Sequence, residues 1–390
     1  MTQKPTLFLV ALLAILAPEA AVALEVDREV LPRITVGGRS VATLDAVDHD
    51  SSGADETEIN VEDSAILMRF DKRLYENGVA GAVFGFKESE DQVEFHQFHA
   101  FYWDRDKAAA IGRMQLRNLL IEFPILRDED LLEYTHVGNA SSNIEFDQRY
   151  GELVSFDWFI DRRIQRLGVW GATRRNGPSV AGPDGIDTWG MGYVYEQPED
   201  LQYVKWIRHA GIMLDRQKVT TGAGDEWMSA VIAGIEFNLN MNPQSNWSAA
   251  VQIIRNQGID GITAADVAHG NANAVSNRAR AAYTSVVASL RHTARPHLLT
   301  RYQGAVTVAW KEYSDIPDAT QWSVAPGFVY RLGQGVDLLG QVRYTDYDAG
   351  LGGGSDTTVQ LGIAFSLEAR FNDNIGERDS ILNLEHGYIK

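Results

Sequence analysis

Thr357-Thr-Val-Gln-Leu-Gly-Ile-Ala-Phe-Ser-Leu-Glu-Ala-Arg-Phe371 alternates from end to end. Val359, Leu361, Ile363, Phe365, Leu367, Ala369 and Phe371 share one parity, and Thr358, Gln360, Gly362, Ala364, Ser366, Glu368 and Arg370 share the other. A period of two belongs to a strand with unlike faces, since a helix would repeat at about 3.6 residues. Upstream, Val336, Leu338, Gly340, Val342 and Tyr344 oppose Asp337, Leu339, Gln341, Arg343 and Thr345. Trp322, Val324, Pro326, Phe328 and Tyr330 oppose Gln321, Ser323, Ala325, Gly327 and Arg331, and Tyr302, Val306, Val308 and Trp310 oppose Arg301, Gln303, Thr307 and Lys311. Consecutive strands thus repeat one plan.

Alternation alone would suit a soluble sandwich, but the aromatic residues separate the cases. Tyr302 and Trp310 lie on the apolar parity, as do Trp322 and Tyr330. Each pair is about eight residues apart, which at ~3.3 Å per residue and a tilt of roughly 40° rises on the order of 20 Å. That is close to the separation of two interfacial belts. The opposite parity is polar or small, as a wet lumen requires, and it is no second hydrophobic core. The spacing predicts an all-β transmembrane antiparallel β-barrel.

Carried backward, the pattern predicts strands near 33–46, 64–75, 79–88, 92–103, 108–118, 150–160, 164–174 and 188–197. It continues near 202–215, 227–240, 246–256, 278–292, 300–311, 321–332, 336–346 and 357–371, about sixteen in all, an even number as bacterial barrels need. The connections check the register. The even ones, such as Glu76-Asn-Gly78, Asp104-Arg-Asp-Lys107 and Gly333-Gln-Gly335, are short and turn-rich, as expected on the periplasmic side. The odd ones, including Val47 to Asp63, Leu119 to Arg149, Arg175 to Asp187, Gln257 to Asn277 and Tyr347 to Asp356, are mostly long outer loops, with Ser89 to Asp91 the short exception. A miscounted strand would invert this alternation partway.

Composition removes other classes. The 390 residues contain no cysteine, which excludes disulfide scaffolds, thiolate metal sites and a cysteine nucleophile. A formal net charge of -18 argues against nucleic acid, whose phosphates need a basic surface. The start, Met1-Thr-Gln-Lys4 followed by the apolar run Leu7 to Ala17 and Ala21-Val-Ala23, is read as an export signal with cleavage after Ala23. The expected organisation is a signal peptide over 1–23, an outer-membrane barrel over 24–371 and a periplasmic tail over 372–390.

Ile34-Thr-Val-Gly-Gly-Arg39 opens the first strand, and Phe98-His-Ala-Phe-Tyr-Trp-Asp104 leads by a hairpin into Ile111-Gly-Arg113. On these motifs the chain resembles the sixteen-stranded outer-membrane porins, in particular the phosphate-selective porin O and P family. The resemblance implies a homotrimer of water-filled channels passing small anions, with the third outer loop folded inward as a constriction. Here that loop would be Leu119 to Arg149, and the expected constriction residues are Arg127, Asp128, Glu129, Asp130 and Glu133. Three acids after Arg127 depart from an anion filter, because acidic constrictions favour cations. The wall differs: Arg301, Lys311, Arg331, Arg343 and Arg370 stand against Asp337 and Glu368 on the lumen parity, and Arg113 and Arg117 are further candidates. Arg113, Arg117, Arg301, Lys311 and Arg343 are the expected pore-lining cations.

Other signals are weaker. His96 and His99 are three apart on a strand and so point to opposite faces. The acidic run from Asp48 to Asp63 is read as a solvated outer loop. Gly350-Leu-Gly-Gly-Gly354 lacks the Lys-Ser/Thr of a phosphate loop. No catalytic residue, metal or cofactor is expected, and the partners expected are outer-membrane lipid, lipopolysaccharide and small hydrophilic solutes or ions, with no nucleic acid. Three functions stay open: a porin passing solutes that include anions such as phosphate, a general or cation-leaning porin, and a non-conducting barrel serving as an anchor or adhesin.

Overall fold

A computed structural model describes residues 32–372, apart from 50–55, 75–77, 90–91, 116–149, 161–164, 175–187, 198–204, 222–223, 243, 269–276, 279, 298–299 and 334. Sixteen antiparallel strands follow one another in chain order and close on themselves, β1 pairing with β16. They are β1 (Arg33–His49), β2 (Glu56–Arg73), β3 (Val79–Ser89), β4 (Gln92–Trp103), β5 (Lys107–Gln115), β6 (Tyr150–Ile160), β7 (Gln165–Arg174) and β8 (Thr188–Glu196). The circuit continues with β9 (Ile207–Thr221), β10 (Gly224–Asn238), β11 (Ser245–Asn256), β12 (Tyr283–His297), β13 (Thr300–Tyr313), β14 (Thr320–Gly333), β15 (Val336–Tyr347) and β16 (Ser355–Phe371). A short helix, α1 (Ala264–Val267), lies in the connection between β11 and β12.

The faces are as unlike as the alternation requires. Val306, Val308, Val342, Leu361, Ile253 and Ile212 are exposed on the outside, although each is large and apolar. In water that pattern would be a liability; against lipid it is the stable arrangement. Cross-strand packing fixes it further: Phe84 sits opposite Phe98, and its ring meets those of Phe70 and Phe98 at 5.7 and 5.1 Å between centroids. Tyr302 pairs with Tyr330 and Trp310 with Trp322, so the two aromatic belts inferred from spacing are side by side in the ladder. The fold is therefore a multi-pass outer-membrane β-barrel.

Several boundaries depart from the expected ones, among them the start of β9, at Ile207 rather than near 202. β9 and β10 stay paired up to Thr221 and Gly224, so the expected break between Asp215 and Trp227 is a continuous ribbon whose Lys218 reaches Asp225 at 2.5 Å. β2 begins at Glu56 rather than near 64, because the acidic stretch pairs in register with β1 as far as Val47. Backbone pairing outlasts the apolar signal at both places. β12 runs from Tyr283 to His297, later than the 278–292 expected, since the residues before Tyr283 fold into the preceding connection. At the β14–β15 turn Gly335 has φ of 74°, and a side chain there would run into the Ser366 carbonyl.

Val306 lies midway between Tyr302 and Trp310 on the lipid face, whereas Gln303 is on the lumen parity of the same strand. Val306→Arg should lower folding stability in phospholipid vesicles by about 2–4 kcal/mol, with little change for Gln303→Arg. Denaturant midpoints and heat-shifted gel mobility would measure both; equal losses would refute the assignment of faces.

Candidate functional site

The inner wall is the candidate site, and strand parity dictates its membership. Gln321, Ser323, Thr307, Gln341, Thr345, Gln252 and Ser248 are polar and lie on the parity opposite the exposed apolar side chains, which turns them away from lipid. The charged members gather toward the two ends of the strands.

At the short-turn end the charges are interlocked. Arg33 on β1 forms a two-point contact with Asp71 on β2, 2.9 Å from Nε and 2.5 Å from Nη2, and Arg69 reaches the same carboxylate at 2.7 Å. The Arg69 guanidinium also lies 4.8 Å over the Phe101 ring. On β8 to β10, His209 sits between two carboxylates, 3.0 Å from Glu196 and 3.4 Å from Glu236. Arg208 adds a bond of 3.1 Å to Glu236, and Arg166 approaches Glu196 at 3.8 Å. Arg208 and His209 both serve Glu236 because the ladder shifts register there, and a bulge can turn a neighbouring side chain inward. Arg331 binds Asp337 at 2.9 and 3.1 Å, and Arg370 binds Glu368 at 2.6 Å.

Toward the outer end cations meet aromatic rings. Lys311 is 1% exposed and places Nζ 3.9 Å over the Tyr283 ring and 5.1 Å over that of Tyr313. Arg278, in the connection between β11 and β12, lies 4.9 Å over the ring of Tyr347 on β15 and donates to the Val267 carbonyl at 2.8 Å. That connection thus reaches past β13 and β14. Arg343 donates to Thr345 at 3.3 Å, and Tyr347 donates to Asp356 at 3.0 Å.

The expected site residues divide accordingly. Lys311 and Arg343 lie on the inner row, separated by β14. Arg113 does not: it pairs with Phe98 in a ladder without a shift, which puts it on the outward parity of Ile111. The Gly-Arg step in a run of alanines left the parity of β5 open in the sequence. Arg117, Arg127, Asp128, Glu129, Asp130 and Glu133 lie outside the described residues, as do the side chain of Arg301, the expected signal peptide 1–23 and the expected tail beyond Asn372. His99 is buried on the inner parity, and the His96 side chain is outside the described residues. Sequence reasoning missed Arg278, Tyr283, Tyr313 and Tyr347, the last three because bulky rings on the polar parity interrupt a small-and-polar lumen pattern.

No family model and no curated protein sequence matches the chain. Solved structures do. An anion-selective porin from Comamonas acidovorans aligns at 14% identity and a TM-score of 0.59, covering 86% of this chain and 99% of that one. The outer membrane channel DcaP of Acinetobacter baumannii aligns at 11% identity and 0.56, covering 88% and 99%. In-vitro folded OmpT of Vibrio cholerae in its trimer form aligns at 9% and 0.54, covering 86% and 100%. The shared feature is the general porin fold; nothing in these likenesses singles out the phosphate-selective family.

Both ends of the barrel can be probed by substitution. Asp71 has no exposed side-chain surface and serves two arginines, so Asp71→Ala should cost about 3–5 kcal/mol by stranding buried charge, while Arg33→Met with Arg69→Met and Asp71→Leu should recover much of it. Urea titration of the three forms would show whether the replacement set fails to recover. In the outer connection, Asp266 accepts from the Thr263 hydroxyl at 2.6 Å and its N–H at 2.8 Å, and these bonds, the hydroxyl's first, hold its carboxyl below the usual range. Their stabilisation is full above the unfolded carboxylate value and is lost as pH falls through the lower folded one. Asp266→Ala should therefore lower the protection factor of the Thr263 amide near neutral pH, and strong acid should lower it in the parent chain once the intrinsic exchange rate at each pH is divided out.

Proposed function

We propose that the protein is a passive diffusion channel for small hydrophilic solutes and ions. The observation that carries this is the polar, charge-bearing inner row of a closed sixteen-stranded barrel, a strand number large enough to leave an aqueous passage. An anion-leaning passage is the finer reading. Lys311, Arg343 and Arg278 bring three cations to the outer end of the passage, where they pack on rings, a hydroxyl and a carbonyl beside the carboxylate of Asp356, with Asp45 and Asp215 as further acids of the inner row, and at the other end Asp337 and Glu368 are each engaged by an arginine. Phosphate is one candidate among the anions. The Comamonas protein is called anion-selective, and OmpT is described as a trimer; by analogy we extend both properties to this chain. Export by cleavage after Ala23 and a periplasmic tail are proposed from the sequence. The acidic third connection, with Asp128, Glu129 and Asp130, is the feature that would make the channel cation-leaning instead.

A second reading has its own support. Lys311, Asp337 and Gln360 are each 1% exposed, so much of the inner row is withdrawn from bulk water, as in a plugged barrel serving as an anchor. Planar-bilayer recording under a potassium chloride gradient distinguishes the three. Discrete steps with an anion-favouring reversal potential, moved toward zero by Lys311→Gln with Arg343→Gln, are expected. A cation-favouring potential would transfer control to the third connection, and absence of steps would leave the anchor.

A further inference from the structure

The outer rim of the lipid-facing surface is electrically divided. On β9 the outward parity runs Ile212, Leu214 and then Arg216; on β11 it runs Val251, Ile253 and then Arg255. Arg216 lies about ten residues beyond Trp206 and Arg255 about eight beyond Trp247, which is a rise of roughly 20–25 Å, the height of the apolar band. Both arginines therefore stand where hydrocarbon ends and headgroups begin. Between them on β10 are Val231, which pairs with both Leu214 and Arg255, and Ser229, which pairs with Arg216. The guanidinium of Arg216 lies 5.0 Å from the Trp227 ring, and all three side chains are exposed. Among the described residues no carboxylate reaches either arginine, whereas nearby Lys218 is engaged by Asp225. Across the barrel the corresponding outward positions carry Glu312, Asp346 and Asp48, so the positive sector is local in a chain of net charge -18.

The geometry points to a binding site for the phosphate of a phosphorylated glycolipid of the outer leaflet, clamped between Arg216 and Arg255 beside Trp227. Strand spacing puts the two Cα atoms about 12 Å apart, a gap two arginine side chains can close on one headgroup. Ile212, Val231 and Ile253 below them offer acyl chains an apolar bed, and Trp227 is placed for the polar–apolar boundary. The paired ribbon of β9 and β10 continues past Arg216 to Thr221, alongside the sugars such a lipid would carry. This site depends on the barrel lying in the outer membrane and not on the channel reading, so it can stand or fall apart from conductance.

The test uses the full barrel folded in detergent, its folding verified by heat-shifted gel mobility, and retention of bisphosphorylated lipid A in native mass spectrometry. Arg216→Gln and Arg255→Gln should each weaken retention roughly fivefold and together about 25-fold, as expected for one cation lost per site from a phosphate surface. Arg105→Gln, at the opposite end of the barrel, should leave retention unchanged. Added potassium chloride should release the lipid, and lipid A stripped of its phosphates should be retained as poorly as by the double variant; inorganic phosphate alone should compete weakly. Equal retention of the stripped and phosphorylated lipids, insensitivity to salt, or an equal loss with Arg105→Gln would overturn the proposal. A change of oligomeric state in the double variant with lipid retention intact would overturn it in favour of a contact between copies.

Discussion

A chain that crosses hydrocarbon meets two solvents at once, and this one resolves the conflict residue by residue. Every second side chain must suit lipid while its neighbours suit a polar interior, and no peptide group may be left without a partner in between. Closure of β1 on β16 answers the second demand, and strict alternation answers the first. The two answers constrain each other. Because the period is two, a one-residue slip anywhere in the ladder would send Arg331, Asp337 or Lys311 into lipid and bring Val306 or Leu338 inside. The register is consequently far better determined than any individual contact.

This explains what could be read from the sequence. The strands from β13 to β16 are legible because their outward parity is strongly apolar and their inward parity is not, and aromatic residues mark both edges. Where that contrast weakens, legibility fails for a physical reason. β5 has three alanines, which suit either face, and a single large apolar residue, Ile111, before Gly112 and Arg113; the parity of Arg113 is fixed by Phe98 opposite it. The ladder from Arg216 to the tip of β9 and β10 lies beyond the apolar band, where neither solvent demands alternation, so backbone pairing continues with no compositional trace.

The inner wall was legible in kind but not in detail. Parity assigns Lys311 and Arg343 to it, yet nothing local announces that Tyr283 and Tyr313 would surround the lysine, or that Arg278 would cross two strands to reach Tyr347. Such contacts join segments that are distant in the chain and depend on how one connection lies over the mouth. The collar of ion pairs at the short-turn end has the same character. His209 between Glu196 and Glu236 needs three strands and a bulge to assemble. The collar fixes the ends of the strands, while the outer cluster gathers cationic charge beside the passage.

The seam between the first strand and the last has a consequence for how the molecule is made. Ile34 finds Phe371 across nearly the whole length of the chain, and Thr35 finds Arg370. Every other ladder joins strands adjacent in the chain, but β1 keeps one bare edge until β16 is in place. Long-range pairing of this kind is slow, and an open edge invites the wrong partner while it waits. The assembly route is thus written into the topology: the nascent sheet must be shielded from start to finish, and its last hydrogen bonds are the ones that end its vulnerability.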